Sequence, residues 1–460
     1  MKPRSIAAHV LAFLLPPGIV GLLAILTVVK GTLLHREPKP AGFSRETPTG
    51  LAFPSVQLES GPKARPIALI VLSNQGTSAQ DLFTTTEALG RSGLWQIVTA
   101  APLRHLSATT GGVSILPDYS LDQAPRPDLL VLPGVIDPNH PQLLAEVKRL
   151  GPLAKAGILA PGEGVRLAGL AGFLRGQEAT APLLSLEALS QTPKNSGEAA
   201  PKILPEAWSV ESGSVITSAG GPAVLDATFV AIRNQGGEAL AQRVAGQLGW
   251  RYPAPSQRNS PLPSKLDYGR LILNAGFDWG RRTVGVWLSP GMPELALGAW
   301  LETPRRSLSV ETTSLARERT FIRTLHGLTL VPQDPAADAY PPDLLLADSS
   351  AKLPANVLAW EQNLGIPIVK ISDAPSASHF SLALQKISDL DGPEIASIVA
   401  RLQEMEEPAA LQGLEKPLIP KKTLWLSLRI LLLGTLGILL FRSLLRGILP
   451  SKGSNQTQFR

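Results

Sequence analysis

Between Ala160 and Gly164 the chain reads Ala-Pro-Gly-Glu-Gly, inside the stretch 157–180, GILAPGEGVRLAGLAGFLRGQEAT. This is the outline of a strand, a tight turn and a helix, the arrangement of a nucleophile elbow. In such an elbow a Cys or Ser sits on the turn, strained so that its side chain stands clear of the sheet and meets a base. Here the turn offers Gly162, Glu163 and Gly164, with no thiol or hydroxyl. The whole chain has no cysteine, which excludes thiol catalysis, disulfides and thiolate metal sites. The candidates for chemistry are then carboxylates. Asp81 and Glu163 are both expected at the carboxyl edge of a sheet, where open α/β folds bind ligands. Such a pair can bind a cation, polarise a water or hold an amine. The alternative is structural: Asp81 caps its helix, and Glu163 pairs with Arg166 or with the helix N-terminus. His140, in the loop after Leu132-Pro133-Gly134, is the one histidine expected near this edge, and helix entry is the competing role for it.

Alternating elements must position these residues. The apolar run Ile67–Leu72 suits a buried parallel strand, Asp81–Leu89 reads as a helix, and Trp95–Ala100 reads as a second strand. A hairpin-like stretch, TGGVSILPDYSL, leads to the strand Asp128–Leu132, which ends in Pro133-Gly134. The pattern is that of a doubly wound, flavodoxin-like α/β sheet closed by the helical Glu238–Leu248.

Taken together, these residues resemble the ThiJ/PfpI family of the class I glutamine amidotransferase-like superfamily, in the branch of isonitrile hydratases and regulator sensor domains. That branch carries Ser-Val-Cys-Thr-Gly-Ala on its elbow, then Gly-x-x-Ala-Thr and a His two residues later. Aligned on Gly176-Gln177-Glu178-Ala179-Thr180, the nucleophile falls on Gly162 and the base on Pro182. Asp81-Leu82 and Glu87 match the family's Asp-Leu-x-Gly-Pro-x-Glu, with Thr84-Thr85 in place of Gly-Pro. Residues 215–221, VITSAGG, and Asp226 match a later segment. Pro133-Gly134-Val135 lacks the second glycine often found in the family's oxyanion loop. The resemblance spans about 66–250 and implies the family fold with its nucleophile and base lost. Glycine tolerates the elbow's dihedrals, so the turn can outlive its chemistry.

The pattern then repeats. HGLTLVPQDPAADAYPPDLLLAD aligns without gaps on GGVSILPDYSLDQAPRPDLLVLP at a constant offset (327 − 112 and 343 − 128). Residues 282–401 therefore read as a degenerate second unit with Ala296 in the place of Asp81.

Two apolar stretches flank these units. Residues 6–29 are uncharged and long enough to cross a bilayer, and 424–441 form a second candidate span with Arg429 snorkelling to an interface. The net charge of +6 is matched by six basic residues and no acid in the tails outside the spans. The positive-inside tendency then puts both termini in the cytoplasm and the units outside it, in a bacterial inner membrane. The expected organisation is an anchor (1–30), a linker (31–65), the first unit (66–250), a linker (251–281), the second unit (282–401), a linker (402–422), a transmembrane helix (423–449) and a basic tail (450–460). No helix-turn-helix or basic patch supports nucleic-acid binding. Three functions follow as expectations: a non-catalytic module that senses a small molecule or binds a membrane or extracytoplasmic protein; a membrane-bound hydrolase or lyase using Asp81 and Glu163; and a structural subunit of a membrane complex. The bilayer is the expected lipid partner. No cofactor or metal is expected, and the ligand-binding candidates are Asp81, Gly134, His140, Gly162, Glu163 and Gly164.

Overall fold

The computed structural model describes residues 53–190, 200–253, 263–277, 282–336, 339–371, 375–405 and 407–412, with scattered positions in 424–439. The first expected span lies outside the described residues, as do eight of the 18 residues of the second (424–441). Among the described residues no helix is long and apolar enough to cross a membrane.

Residues 67–71, IALIV, form β1 (Ile67–Val71), with four of its five side chains buried, as a strand covered on both faces requires. Around it lie β2 (Gln96–Ala101), β5 (Tyr119–Ser120), β6 (Leu129–Val131), β7 (Ile158–Ala160), β8 (Ser209–Ser212) and β9 (Val215–Ser218). The sheet order is β8-β9-β7-β6-β1-β2-β5. All neighbours are parallel except the edge pair β8–β9. Strand order reverses beside β1, so the loops leaving β1, β6 and β7 share one crevice at the carboxyl edge. Helices α1 (Ala79–Ser92), α5 (Ala223–Gly236) and α6 (Glu238–Leu248) cover one face, and α2 (Pro141–Leu150), α3 (Gly164–Leu170) and α4 (Leu183–Ser190) belong to the other.

The second sheet contains β10 (Arg282–Trp287), β11 (Val310–Ala316), β14 (Asp334–Pro335), β15 (Leu344–Ala347) and β16 (Ile368–Lys370), in the order β14-β11-β10-β15-β16. This is the order of the first sheet without counterparts of β8 and β9. Between the sheets, β3 (Ser107–Ala108) and β4 (Ser114–Leu116) join β12 (Ile322–Arg323) and β13 (Thr329–Val331) in one four-stranded sheet. Five strand starts are separated by the same 215 residues (282 − 67, 322 − 107, 329 − 114, 334 − 119 and 344 − 129). The pairing of β4 with β13 sets Ile115 opposite Leu330, again 215 residues apart, with Leu116 opposite Thr329 and Ser114 opposite Val331. Such a register is that of a local two-fold axis through Ile115 and Leu330.

Helix α8 (Glu294–Glu302) packs on α1 across the same axis. The contact is close because Gly298 has no side chain: a Cβ there would lie 3.2 Å from Phe83 Cβ and 3.3 Å from Gln80 Cα. Helices α10 (His379–Asp391) and α11 (Pro393–Leu402) complete the middle layer. One apolar core runs from Ile70 and Phe83 through Leu297 and Trp300 to Val286 and Phe380, so both sheets are closed by a shared helical layer. The outer face of the second sheet packs on α9 (Ala355–Leu364) through Val357 and Trp360. The expected linker 251–281 is corrected in part: Lys265–Phe277 form α7, which packs on α11.

Candidate functional site at the seam between the sheets

Ser78 begins α1 by accepting a hydrogen bond from the N–H of Asp81 at 3.2 Å. The cap is thus Ser78, and the expectation that Asp81 caps its own helix is corrected. Its side chain is free to turn over the sheet edge, where Oδ2 accepts from the Gly134 N–H at 3.0 Å. Asp81 is 4% exposed. On its other side is the elbow. Gly162 has φ +52°, and a Cβ built on it would lie 2.6 Å from Asp81 Oδ1. The turn is left-handed, which glycine adopts without strain, and its N–H is held by Ser218 Oγ at 3.0 Å. The space that a nucleophilic side chain would need is filled by a carboxyl group.

The elbow's other residues divide by role. Glu163 lines the cavity and hydrogen-bonds Ser185 Oγ, so the pairing with Arg166 expected from the sequence is replaced by a serine on α4. A Cβ on Gly134 would lie 2.7 Å from Glu163 Cβ and 3.0 Å from Asp81 Oδ2, so Gly134 brings the two acids together. Gly164 serves packing, since a Cβ there would lie 1.6 Å from the Leu132 carbonyl oxygen. It is absent from the cavity wall, as is His140, which accepts from Leu143 N at 3.4 Å and caps α2. Of the six ligand-binding candidates, these two stand outside the cavity, where Gly164 packs against Leu132 and His140 caps α2. Pro182, at the position of the lost base, does line the cavity.

The second sheet's unit supplies what the sequence did not indicate. Glu302, the last residue of α8, reaches across the seam, and its Oε2 accepts from Gln80 N at 2.9 Å, Thr110 Oγ1 at 2.9 Å and Ser78 Oγ at 3.2 Å. Its Oε1 pairs with Arg306 Nη2 at 2.7 Å. The unsatisfied first-turn N–H of one helix is therefore answered by a carboxylate from the other unit. The same contact occurs once more, 215 residues displaced: Glu87 Oε2 accepts from Leu295 N at 2.7 Å, and Arg91 pairs with Glu87 at 2.7 Å. At that end the seam is closed by Ser376 Oγ, which donates to Glu87 Oε1 at 2.8 Å. At the Glu302 end it stays open as a cavity of about 150 Å³.

Charge in this cavity is predominantly acidic. Burial, then the neighbouring Glu302 and Glu163, push the Asp81 carboxyl up to about 8 against the Gly134 N–H and Arg306. Burial also opposes ionisation of Glu302, but Arg306 and the Gln80 N–H outweigh it and hold Glu302 below the usual carboxylate range. Asp81 is thus held toward its protonated form at neutral pH beside a carboxylate, Glu302, held toward its ionised form.

No protein-family model matches the sequence, and no curated protein matches it. Solved structures do. A ThiJ/PfpI family protein from Pseudomonas syringae is similar at 22% identity, over 45% of this chain and 87% of that one, with a TM-score of 0.37. An AraC family transcriptional regulator from Pseudomonas putida is similar at 17% identity, over 40% and 99% of the two chains, with a TM-score of 0.35. Drosophila melanogaster DJ-1beta is similar at 20% identity, over 41% and 100%, with a TM-score of 0.33. The likeness is one of fold. It meets the expected resemblance to ThiJ/PfpI proteins over less than half of this chain, without specifying a branch or carrying any residue's role.

Proposed function

We propose that this chain is a non-catalytic ThiJ/PfpI-like protein in which a degenerate second copy of the unit is fused to the first, and that the seam cavity binds a small molecule. The observation that supports this reading most directly is the Gly162 elbow. Its backbone keeps the left-handed turn, while Asp81 Oδ1 stands 2.6 Å from where any Cβ would be. A covalent mechanism needs a nucleophile and a base within reach of each other; here those positions hold glycine and Pro182. A cavity bounded by residues of both units nevertheless persists. In this reading the second unit acts as a built-in partner, contributing Glu302 and Arg306. The two apolar stretches hold the pair at a bacterial inner membrane with both termini cytoplasmic, where a protein partner can read the occupied state. Turnover assays of the purified chain with hydrolytic, glyoxalase-type and amidotransfer substrates test the claim: the expected rates equal those of buffer, and a rate that is abolished by Asp81→Asn refutes it.

One observation favours a second reading, a carboxylate-based hydrolase or lyase. A buried carboxyl titrating at about 8 is poised to give or take a proton near neutral pH. The same assay separates the two.

A further inference from the structure

Once Asp81 is ionised, three oxygen acceptors of the cavity are left unfilled by the protein. Glu302 is saturated by four donors, counting Arg306, and that ion pair neutralises itself. Asp81 Oδ1, beside Gly162, receives no hydrogen bond among the described residues. Glu163 spends one oxygen on Ser185. Gln403, 2% exposed, lines the cavity with its Oε1 unpartnered, because its Nε2 donates to Gln80 Oε1 at 2.9 Å. The unfilled donors are Gln80 Nε2 and the Arg306 Nε, with the Tyr268 hydroxyl able to act either way. Among the described residues no cluster of His, Cys, Asp and Glu can hold a metal ion. The cavity is also lined by the apolar residues Ile136, Pro182, Leu183 and Leu402. A cavity of 150 Å³ accommodates a molecule of about six heavy atoms, the size of benzene.

Resting on the reading of this cavity as a binding site, we propose that its ligand is a small primary ammonium ion. The N–H donors of the ammonium would be shared by Asp81 Oδ1, Glu163 and Gln403 Oε1, and a short hydrocarbon tail would lie against Ile136 and Leu183. Three donors on one nitrogen match three unfilled acceptors, and the positive charge offsets the negative charge that Asp81 gains on releasing its proton. The groups facing Asp81 are Glu302 and Arg306 from the second unit, Glu163 from the elbow, the Gly134 N–H, and Tyr268 from α7. With Asp81 protonated below pH 8, the ammonium displaces a proton on binding. Affinity therefore rises with pH by up to about tenfold per unit between pH 6 and 8, then levels.

Isothermal titration of the full chain with propylammonium chloride tests this, at pH 6, 7, 8 and 9 and in two buffers of different ionisation enthalpy. The expected result is a dissociation constant that falls with pH, with nearly one proton released at pH 7. Asp81→Asn, an uncharged isostere of the protonated acid, is expected to fold, to bind at least about tenfold more weakly at pH 8 and to lose the pH slope. Propionate and propionamide serve as the anionic and neutral counterparts. Binding of either in preference to propylammonium overturns the ligand class while leaving the binding-site reading intact. Absence of heat with all three, together with no thermal stabilisation, overturns both.

Discussion

Replacing Glu302 by alanine probes the seam most severely. In the native protein this one carboxylate answers Gln80 N, Thr110 Oγ1, Ser78 Oγ and Arg306. Removing it strands a cation and the first-turn N–H of α1 at a position where Glu302 itself is only 5% exposed. Breaking a buried pair from one side costs about 3–5 kcal/mol. The Arg306 side chain is 40% exposed and can turn toward water, which places the expected loss near 3 kcal/mol. Urea denaturation should show a lower midpoint with an unchanged slope, because the surface exposed on unfolding is the same. Arg306→Ala leaves Glu302 buried with its three other donors but without its cation, and is expected to cost less than Glu302→Ala, about 2 kcal/mol. Glu87→Ala, the same substitution 215 residues earlier, removes the acceptor of Leu295 N and Ser376 Oγ from a fully buried site, with a loss of similar size to that of Glu302→Ala. A loss below about 1 kcal/mol for Glu302→Ala, or a larger loss for Arg306→Ala, would refute the cross-capping account.

Three further outcomes follow from the geometry. Burial pushes Asp226 up to about 7, with its Oδ2 unpartnered and Oδ1 accepting from Trp250 Nε1 at 3.2 Å. Folding therefore takes up protons at Asp81 and Asp226, the stability of the wild type should fall as pH rises from about 4 to 8, and Asp226→Asn should flatten the part of that fall below pH 7 in a series of denaturation curves. Gly162→Ala must adopt φ +52° and crowd Asp81, so it should lose more than the roughly 1–2 kcal/mol of a left-handed alanine, and the added Asp81→Ala should recover the excess in a double-mutant cycle. Gly162→Cys should stay within about tenfold of buffer in turnover assays, since Pro182 cannot act as base and the adjacent acids disfavour a thiolate.

Much of the first sheet was legible because its strands are buried on both faces and so appear as short apolar runs: Ile67–Val71 and Leu129–Val131 fall within the stretches read as strands. The elbow was legible for the opposite reason, a break in that pattern at Pro161-Gly162. The roles of its neighbours were not. Asp81 was read as a possible helix cap from its position at the start of an apolar-periodic stretch, but Ser78 stands three residues earlier and reaches the same N–H. His140 precedes Pro141 at a helix entry, and that local signal describes its role better than its nearness to the sheet edge. The seam itself depends on contacts more than 200 residues apart, and single residues at such separations leave no local pattern. Yet a trace existed. The offset seen from Gly112 onward extends upstream to Glu87 and Arg91 against Glu302 and Arg306, which keep the same Glu-x-x-x-Arg spacing. Helix α7 was missed because its apolar residues, among them the exposed Leu266, Ile272 and Leu273, do not form one clean buried stripe.

The most direct test of the account is a crystal structure of the protein soaked with propylammonium at pH 8.5. A non-covalent ligand is expected at the seam, its nitrogen among Asp81, Glu163 and Gln403 and its tail toward Ile136, with Gly162 unchanged. An unoccupied cavity with the ligand bound elsewhere would contradict it, as would a ligand whose nitrogen lies away from all three acceptors.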